Sequence, residues 1–212
     1  MSAQHRTIPI REIGEDFSIH DWKDYRSILP AEELDEAYLL ARVDDHVSDD
    51  VPEDSPLPWV PMHAWRALAQ LHAPSVIEPV MRRAEGPDDQ QAYTDFSKLS
   101  AEIGEPAIAP LQAILADRSR PESYRTLAAM GLGGVGRQAT GATRAGIVES
   151  LLDQIRNNPG DGWINGTAVA SLIAMDERAA GPEVLRMLKE GRIQGGAGGD
   201  HVITNYFGPV PE

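Results

Sequence analysis

The sequence predicts an all-α fold, an α-solenoid of about four stacked helix pairs with an acidic helical cap at its N-terminal end. The first observation behind this prediction is a recurring pair of residues that closes one apolar helical segment just before another begins. The pairs are Leu71-His72, Ile103-Gly104, Val135-Gly136 and Met175-Asp176, spaced by 32, 32 and 40 residues. A period in this range is typical of repeats that bury their apolar faces against their neighbours. The second observation is composition: 42% of the residues are hydrophobic but only 6% are aromatic, which suits helices packed through aliphatic side chains.

Residues 1–60 are predicted to form the acidic cap. A short helix is expected around residues 20–28, and a longer one over residues 30–43, where a proline opens the helix and acidic residues fill its first turns. The apolar stripe of the longer helix is predicted to consist of Leu34, Tyr38 and Ala41. The connection over residues 44–61 contains four prolines, which oppose regular helix.

Residues 61–192 are predicted to hold the four helix pairs. Pro74 and Pro106 restart the chain after the turns of the first two pairs, and Asn165 is expected to cap the first helix of the fourth pair. Residues 193–212 begin as a glycine-rich hinge. The apolar segment 201–207 is expected to fold back over the last repeat, because a solenoid needs its open end covered.

The third repeat carries a family resemblance. Its first helix reads YRTLAAMGLGGVG over residues 124–136, which resembles the VRxxAAxALGxIG helix of HEAT-like repeats of the phycobilisome-lyase type. The matching positions are Arg125, Ala128, Ala129, Leu132, Gly133 and Gly136. The similarity extends more weakly over residues 61–192, and the chain resembles most the small bacterial HEAT-like proteins of undefined function. This resemblance implies an ARM-type fold and, from the lyase members, a tetrapyrrole as one conceivable ligand.

The glycines of this helix also satisfy the spacing GxGxxG, at Gly131, Gly133 and Gly136. A dinucleotide site requires a strand before such glycines and a helix directly after them, whereas here a helical pattern precedes them. We therefore interpret these glycines as positions of close helix packing, with Gly133 to Gly136 ending the helix.

The charge is concentrated at the N-terminus. The net charge is −14, and residues 1–60 alone hold fifteen acidic and five basic residues. Such a field disfavours nucleic acid and favours either solubility or a basic protein partner. No apolar run approaches the roughly 20 residues of a membrane span, so no membrane association is predicted and the bacterial cytoplasm is the expected compartment. The absence of cysteine excludes disulfides and thiolate metal sites.

No catalytic residue, cofactor or metal site is predicted. The sequence lacks a GxSxG elbow, an HExxH helix and a P-loop. One acidic connection supplies oxygen ligands and an imidazole, but without the spacing of a calcium loop, so a solvated loop is the favoured interpretation. Its candidate ligands are Asp44, Asp45, His46, Asp49 and Asp50.

Basic residues recur near the ends of the second helices, where they complement the helix dipole. They are Arg82, Arg83, Arg118, Arg120, Arg156, Lys189 and Arg192. We hypothesise that the acidic N-terminal segment lies partly along this edge. A second electrostatic expectation concerns Arg125, which follows Asp117 by eight residues and is expected to bridge successive loops as a structural fork.

These observations favour a non-enzymatic scaffold or regulatory protein that binds a protein partner on its solenoid surface, and the acidic charge makes a basic protein the candidate partner. The residues predicted to contact the partner are Trp59, Trp65, Arg66 and Trp163, because exposed aromatic and arginine side chains dominate interface energetics. In the alternative interpretation, the tryptophans pack inside. Two other functions stay open: a bilin lyase or chaperone-like protein that handles a tetrapyrrole, and an acidic inhibitor or immunity-type protein of a basic enzyme.

Overall fold

The computed structural model describes residues 7–19, 21–45, 51–52, 54–86, 90–195 and 198–210. These residues form α-helices joined by turns and short 3-10 segments, with no strand among them, so the predicted all-α class is confirmed. No helix of the described residues is long and apolar enough to cross a membrane. The chain divides into two compact units, residues 1–106 and residues 107–212, a division that does not coincide with the boundaries predicted after residues 60 and 192.

The first unit is built around one central helix. Its α-helices are α1 (Tyr25–Ile28), α2 (Glu36–Val43), α3 (Val60–Gln70), α4 (Ile77–Ala84) and α5 (Gln90–Ile103). Helix α3 contacts α1, α2 and α5, and each of its residues from Val60 to Ala69 is buried. The N-terminal segment therefore belongs to the packing of this unit, since it covers faces of α3 that would otherwise meet water.

The N-terminal helices are shorter than predicted. Over residues 30–43 the chain forms a 3-10 turn and then restarts as α2, because the Asp35 carboxylate accepts the Tyr38 backbone N–H at 2.8 Å and caps the new helix. The predicted stripe is wrong: Leu39 and Val43 are the buried residues of α2, and Ala41 is exposed. Starting the helix at Glu36 places a different face against α3.

Three of the four recurring turn residues end their helices in the left-handed conformation, with φ of 58° at His72, 75° at Gly104 and 55° at Asp176. After His72 and Asp176, the backbone N–H of the next residue donates to the carbonyl five residues before it, as in a Schellman motif. The remaining turn residue, Gly136, differs from these three. Gly136 stays helical, so the helix does not stop between Gly133 and Gly136 but runs through both.

In the second unit, two glycines lie at a helix–helix contact. Its α-helices are α6 (Ile108–Ala116), α7 (Glu122–Gly136), α8 (Gly141–Asn157), α9 (Gly162–Ala174), α10 (Gly181–Lys189) and α11 (Asp200–Phe207). A Cβ on Gly133 would lie 2.6 Å from the Ser171 side chain, and one on Gly136 would lie 2.5 Å from Met175 Sδ. The interpretation as close-packing positions is confirmed for Gly133 and Gly136, which approach Ser171 and Met175 at the end of α9.

Asn165 does not cap α9. It lies inside the helix and is fully buried, and its amide nitrogen donates to the carbonyls of Asn158 at 2.9 Å and Arg192 at 2.8 Å. Its carbonyl oxygen accepts from Gln154 at 3.1 Å. Asn165 is therefore a buried residue of α9 whose hydrogen bonds join this helix to α8 and to the segment after α10.

The C-terminal segment folds back as predicted. Helix α11 packs against α10, with Ile203 buried and the Phe207 ring against Gly181. Before it, the chain crosses the start of α9, where a Cβ on Gly166 would lie 2.5 Å from backbone oxygens of Gln194 and Gly195. Glycine allows this crossing because no side chain separates the two backbones.

The glycine interpretation predicts opposite effects for two alanine substitutions. Gly133→Ala should lower the free energy of unfolding by about 1–3 kcal/mol, because its methyl group overlaps Ser171 on a neighbouring helix. Gly146→Ala in α8, where the new methyl meets nothing within 4 Å, should raise it by up to about 1 kcal/mol. Urea denaturation of both variants measures the difference, and equal effects would contradict the close-packing account.

Candidate functional site

The four residues predicted to bind a partner separate into two buried and two accessible ones. Trp65 is 1% exposed and Arg66 is 0% exposed, so the expectation that they lie on the surface is wrong. Both belong to α3, which the N-terminal segment covers. Trp163 is 53% exposed, and Trp59 is half-buried at the start of the same central helix.

Arg66 forms a buried ion pair with Asp95 of α5. Its Nε donates to Asp95 Oδ2 at 2.6 Å and its Nη2 donates to Asp95 Oδ1 at 3.1 Å, a two-point contact that fixes the guanidinium plane. The same carboxylate accepts Trp65 Nε1 at 3.1 Å and Gln91 Nε2 at 2.7 Å. Asp95 is 0% exposed, and these bonds replace the water that its charge loses.

The remaining donors of Arg66 hold the loop before α1. Nη1 donates to the Asp16 carbonyl at 3.3 Å, and Nη2 donates to the Ser18 carbonyl at 2.9 Å. Because the carbonyls on both sides of Phe17 are bonded to a buried guanidinium, the Phe17 side chain lies on the outside of the loop. It is 63% exposed, more than any other large hydrophobic side chain among the described residues.

The Asp16 carboxylate completes this cluster. It lies 3.7 Å from Arg66 Nη1 and 3.2 Å from Lys23 Nζ. Burial alone would raise the pKa of Asp16, but the Ser18 N–H and Lys23 act in the opposite direction and hold the pKa below its ordinary value. The Trp22 ring centroid lies 5.0 Å from the Arg66 guanidinium and 4.9 Å from Lys98 Nζ, so both cations are within cation–π distance of the ring.

Phe17 and Trp59 form an aromatic platform on the surface of the first unit. Their ring centroids are 4.9 Å apart and their planes meet at 87°, an edge-to-face contact. Ile19, two residues further along the loop, is 43% exposed. Within seven residues of Phe17, four exposed carboxylates make no ion pair or hydrogen bond among the described residues. They belong to Glu12, Glu15, Asp21 and Asp24.

A histidine–tyrosine pair anchors the start of the same loop. His63 is 0% exposed; its Nε2–H donates to the Gly14 carbonyl at 2.9 Å, and its Nδ1 accepts the Tyr25 hydroxyl at 2.7 Å. Burial lowers the pKa of His63 to about 4 and raises the pKa of Tyr25. The imidazole is therefore neutral at pH 7, and it ties Gly14 to the central helix as Arg66 ties Asp16 and Ser18.

Comparison with protein-family models, with curated proteins and with solved structures finds no match for this chain.

The sequence predicts that the acidic N-terminal segment lies partly along an edge of basic residues. Among the described residues of the first unit, it contacts that edge at Arg82 and Arg83 of α4. Arg82 Nη1 lies 3.2 Å from the Asp44 carboxylate, and Arg83 Nη1 donates to the Val43 carbonyl at 2.9 Å. In the second unit, Arg156 pairs with acids of its own unit. Those acids are Glu149, Asp153 and Glu183.

The predicted partner of Arg125 is also different. Arg125 Nη1 lies 2.8 Å from Asp161, and its other nitrogens donate to the Leu115 carbonyl at 3.1 Å and to Gln154 at 2.9 Å. Asp117 instead accepts the Ser119 hydroxyl and N–H, which lower the pKa of its carboxyl group. Arg125 thus ties α6, α8 and the start of α9 together, and the residue itself matches the structural role expected of it.

The candidate cation ligands are only partly described. Asp44 lies beside Arg82, and Asp45 pairs with Arg42 at 2.9 Å. His46, Asp49 and Asp50 lie outside the described residues. Over the parts of the chain that the structure describes, no group of three or more His, Asp or Glu side chains is arranged to hold a metal ion.

Sequence reasoning missed Phe17, Asp95 and the His63–Tyr25 pair. An acid in the middle of an amphipathic helix, as Asp95 is in α5, is a signal for a buried cation nearby. No local sequence signal predicts the exposure of Phe17. It depends on the carbonyls of Asp16 and Ser18, which bond to Arg66, 50 and 48 residues further along the chain.

Removing the buried guanidinium should be costly. Arg66→Met leaves Asp95 buried without its cation, and we expect the free energy of unfolding to fall by about 3–5 kcal/mol. Arg186→Met is the matched control, because the Arg186 side chain is 55% exposed in its ion pairs and should change stability by no more than about 0.5 kcal/mol. Urea denaturation compares the two, and similar small losses would refute the role given to Arg66.

His63 makes a second, pH-dependent prediction. Its pKa rises from about 4 in the folded chain to about 6.5 on unfolding, so its contribution is complete above pH 6.5 and is lost as the pH falls toward 4. The loss amounts to roughly 3 kcal/mol at full titration. The free energy of unfolding should therefore change less with pH, between these two values, for His63→Gln than for the natural chain. The same pH dependence in both proteins would be inconsistent with a buried neutral imidazole.

Proposed function

We propose that this protein is a non-enzymatic scaffold or regulatory protein that binds a basic protein partner through the aromatic platform of its first unit. The observation that carries the proposal is the exposure of Phe17 on a loop whose neighbouring carbonyls are bonded to a buried arginine. An aromatic side chain held in place before binding loses little conformational entropy when a partner covers it. Aromatic anchors of this kind contribute most of the energy in many interfaces.

The charge around the platform supports a basic partner. The four carboxylates within seven residues of Phe17 are exposed and lack intramolecular cations among the described residues, so a partner's lysine or arginine side chains do not have to displace existing ion pairs. Like charges at this density accelerate encounter with an oppositely charged protein and repel nucleic acid. A basic enzyme inhibited by this protein is one form that such a partner can take.

The proposed architecture is an α-solenoid of about four HEAT-like helix pairs, with the acidic N-terminal segment as its cap. The left-handed turns at His72, Gly104 and Asp176 support the proposal that these three helices end repeats in the same way. The close packing at Gly133 supports the resemblance of residues 124–136 to a HEAT-like repeat helix. The contacts of α1 and α2 with the central helix support the capping role of the N-terminal segment.

The test is affinity capture from a lysate with the natural chain, Phe17→Ala and Tyr93→Ala as baits. Tyr93 is the matched control, because it is an aromatic residue of the same unit that is 43% exposed and belongs to α5 instead of the loop. We expect a protein retained by the natural chain and by Tyr93→Ala to be lost from Phe17→Ala. Its retention should also weaken between about 0.05 M and about 0.3 M salt.

Retention by all three baits alike would show that the platform is not the binding surface. Salt-independent retention, or a partner with an acidic surface, would contradict the electrostatic part of the proposal. Both substitutions replace exposed side chains, and thermal denaturation of each bait confirms that any loss of binding is not a loss of folding.

A further inference from the structure

A polar cleft of about 550 Å³ lies between α6 and α8 in the second unit. Gln112 Nε2 donates to Ser150 Oγ at 2.7 Å across it, and Arg125 bonds both the Leu115 carbonyl and the Gln154 side chain. Since residue 112 pairs with residue 150, and residue 115 lies near residue 154, the two helices run side by side in the same direction. Their C-terminal ends therefore flank the same end of the cleft.

The floor of the cleft is fixed by bonds that are already complete. Gln154 is 3% exposed; its amide nitrogen donates to Asn165, and its side-chain oxygen accepts from Arg125 and from Asn158. Asp153, on the rim, lies 3.0 Å from Arg156, a cation that it shares with Glu149 and Glu183. Neither the floor nor this carboxylate is available as the main contact of a charged ligand.

The open end of the cleft offers an unused cation and an unused amide. Arg118 and Asn157 line the cleft, are exposed, and make no hydrogen bond or ion pair among the described residues. Asp117, next to Arg118, directs one oxygen to Ser119. Leu115 and Ala116 add a small apolar wall. The groups left for a ligand are thus one guanidinium, amides that both donate and accept, and an aliphatic surface.

We propose that this cleft binds the C-terminal end of a short peptide. Its α-carboxylate pairs with Arg118, whose planar fork matches a carboxylate. Its peptide groups bond to the amides of Gln112 and Asn157, and its last side chain lies against the wall formed by Leu115 and Ala116. One turn of α6 and the two residues after it span roughly 10 Å, which accommodates about three extended residues.

The size also fits a free small molecule with the same chemistry, a carboxylate beside an amide group, such as an N-acylated amino acid. The experiment must distinguish the two sources. The cleft inference does not rest on the aromatic platform, which belongs to the other unit, so either proposal can fail alone.

The experiment titrates the ¹⁵N-labelled full-length chain with three probes: acetyl-Gly-Ala-Leu with a free carboxylate, the same peptide as its C-terminal amide, and N-acetyl-leucine. The free peptide should shift the side-chain amide signals of Gln112 and Asn157 in a saturable way. Its C-terminal amide should bind at least about tenfold more weakly, as the loss of one charge-assisted contact implies. Arg118→Gln should weaken the free peptide to the same extent, whereas the exposed Arg186→Gln should leave it unchanged.

Three results would overturn the proposal. They are the absence of saturable shifts at millimolar peptide, equal binding of the free and amidated peptides, and unchanged binding to Arg118→Gln. Binding of N-acetyl-leucine as tight as that of the tripeptide would assign the cleft to small acyl amino acids instead of peptides. Arg118 is exposed and makes no hydrogen bond or ion pair among the described residues, so its substitution should not unfold the chain, and thermal denaturation verifies this.

Discussion

The buried ion pair between Arg66 and Asp95 is the interaction on which the first unit depends. It joins α3 to α5, and through the carbonyls of Asp16 and Ser18 it also joins the N-terminal loop to both helices. A guanidinium has five donors in one plane, so a single side chain bonds a carboxylate on one edge and two backbone carbonyls on another. Without those bonds the loop would leave buried carbonyls unpaired, and nothing would direct Phe17 toward solvent.

The second unit uses a related device for a different purpose. Arg125 is 5% exposed and bonds a carboxylate, a backbone carbonyl and a side-chain amide, which fixes α6 beside α8. In the first unit the buried arginine presents an aromatic surface, and in the second it positions the walls of a polar cleft. In both units a buried cation supplies the fixed geometry, whereas the groups proposed to bind a partner or a peptide lie on the surface beside it.

The sequence predicts the helices better than the surfaces. Apolar periodicity and turn residues locate α3, α5, α7 and α9, because both are local signals. They place the start of α2 wrongly, since the choice between Pro30 and Asp35 as the opening residue depends on one side-chain bond. The burial of Trp65 and Arg66 depends on residues far away in the chain, and so does the exposure of Phe17. Composition suggested aromatic and arginine anchors, but only tertiary contacts decide which of them reach the surface.

The most direct measurement of the central claim is the backbone order of the loop in solution. If the Arg66 and His63 contacts hold residues 14–19 before any partner binds, ¹⁵N relaxation should give these residues order parameters near 0.85, similar to those of α3. Values below about 0.6 would show that the loop moves freely on the nanosecond timescale. The aromatic platform would then not be organised in advance, and the account of its binding would be contradicted.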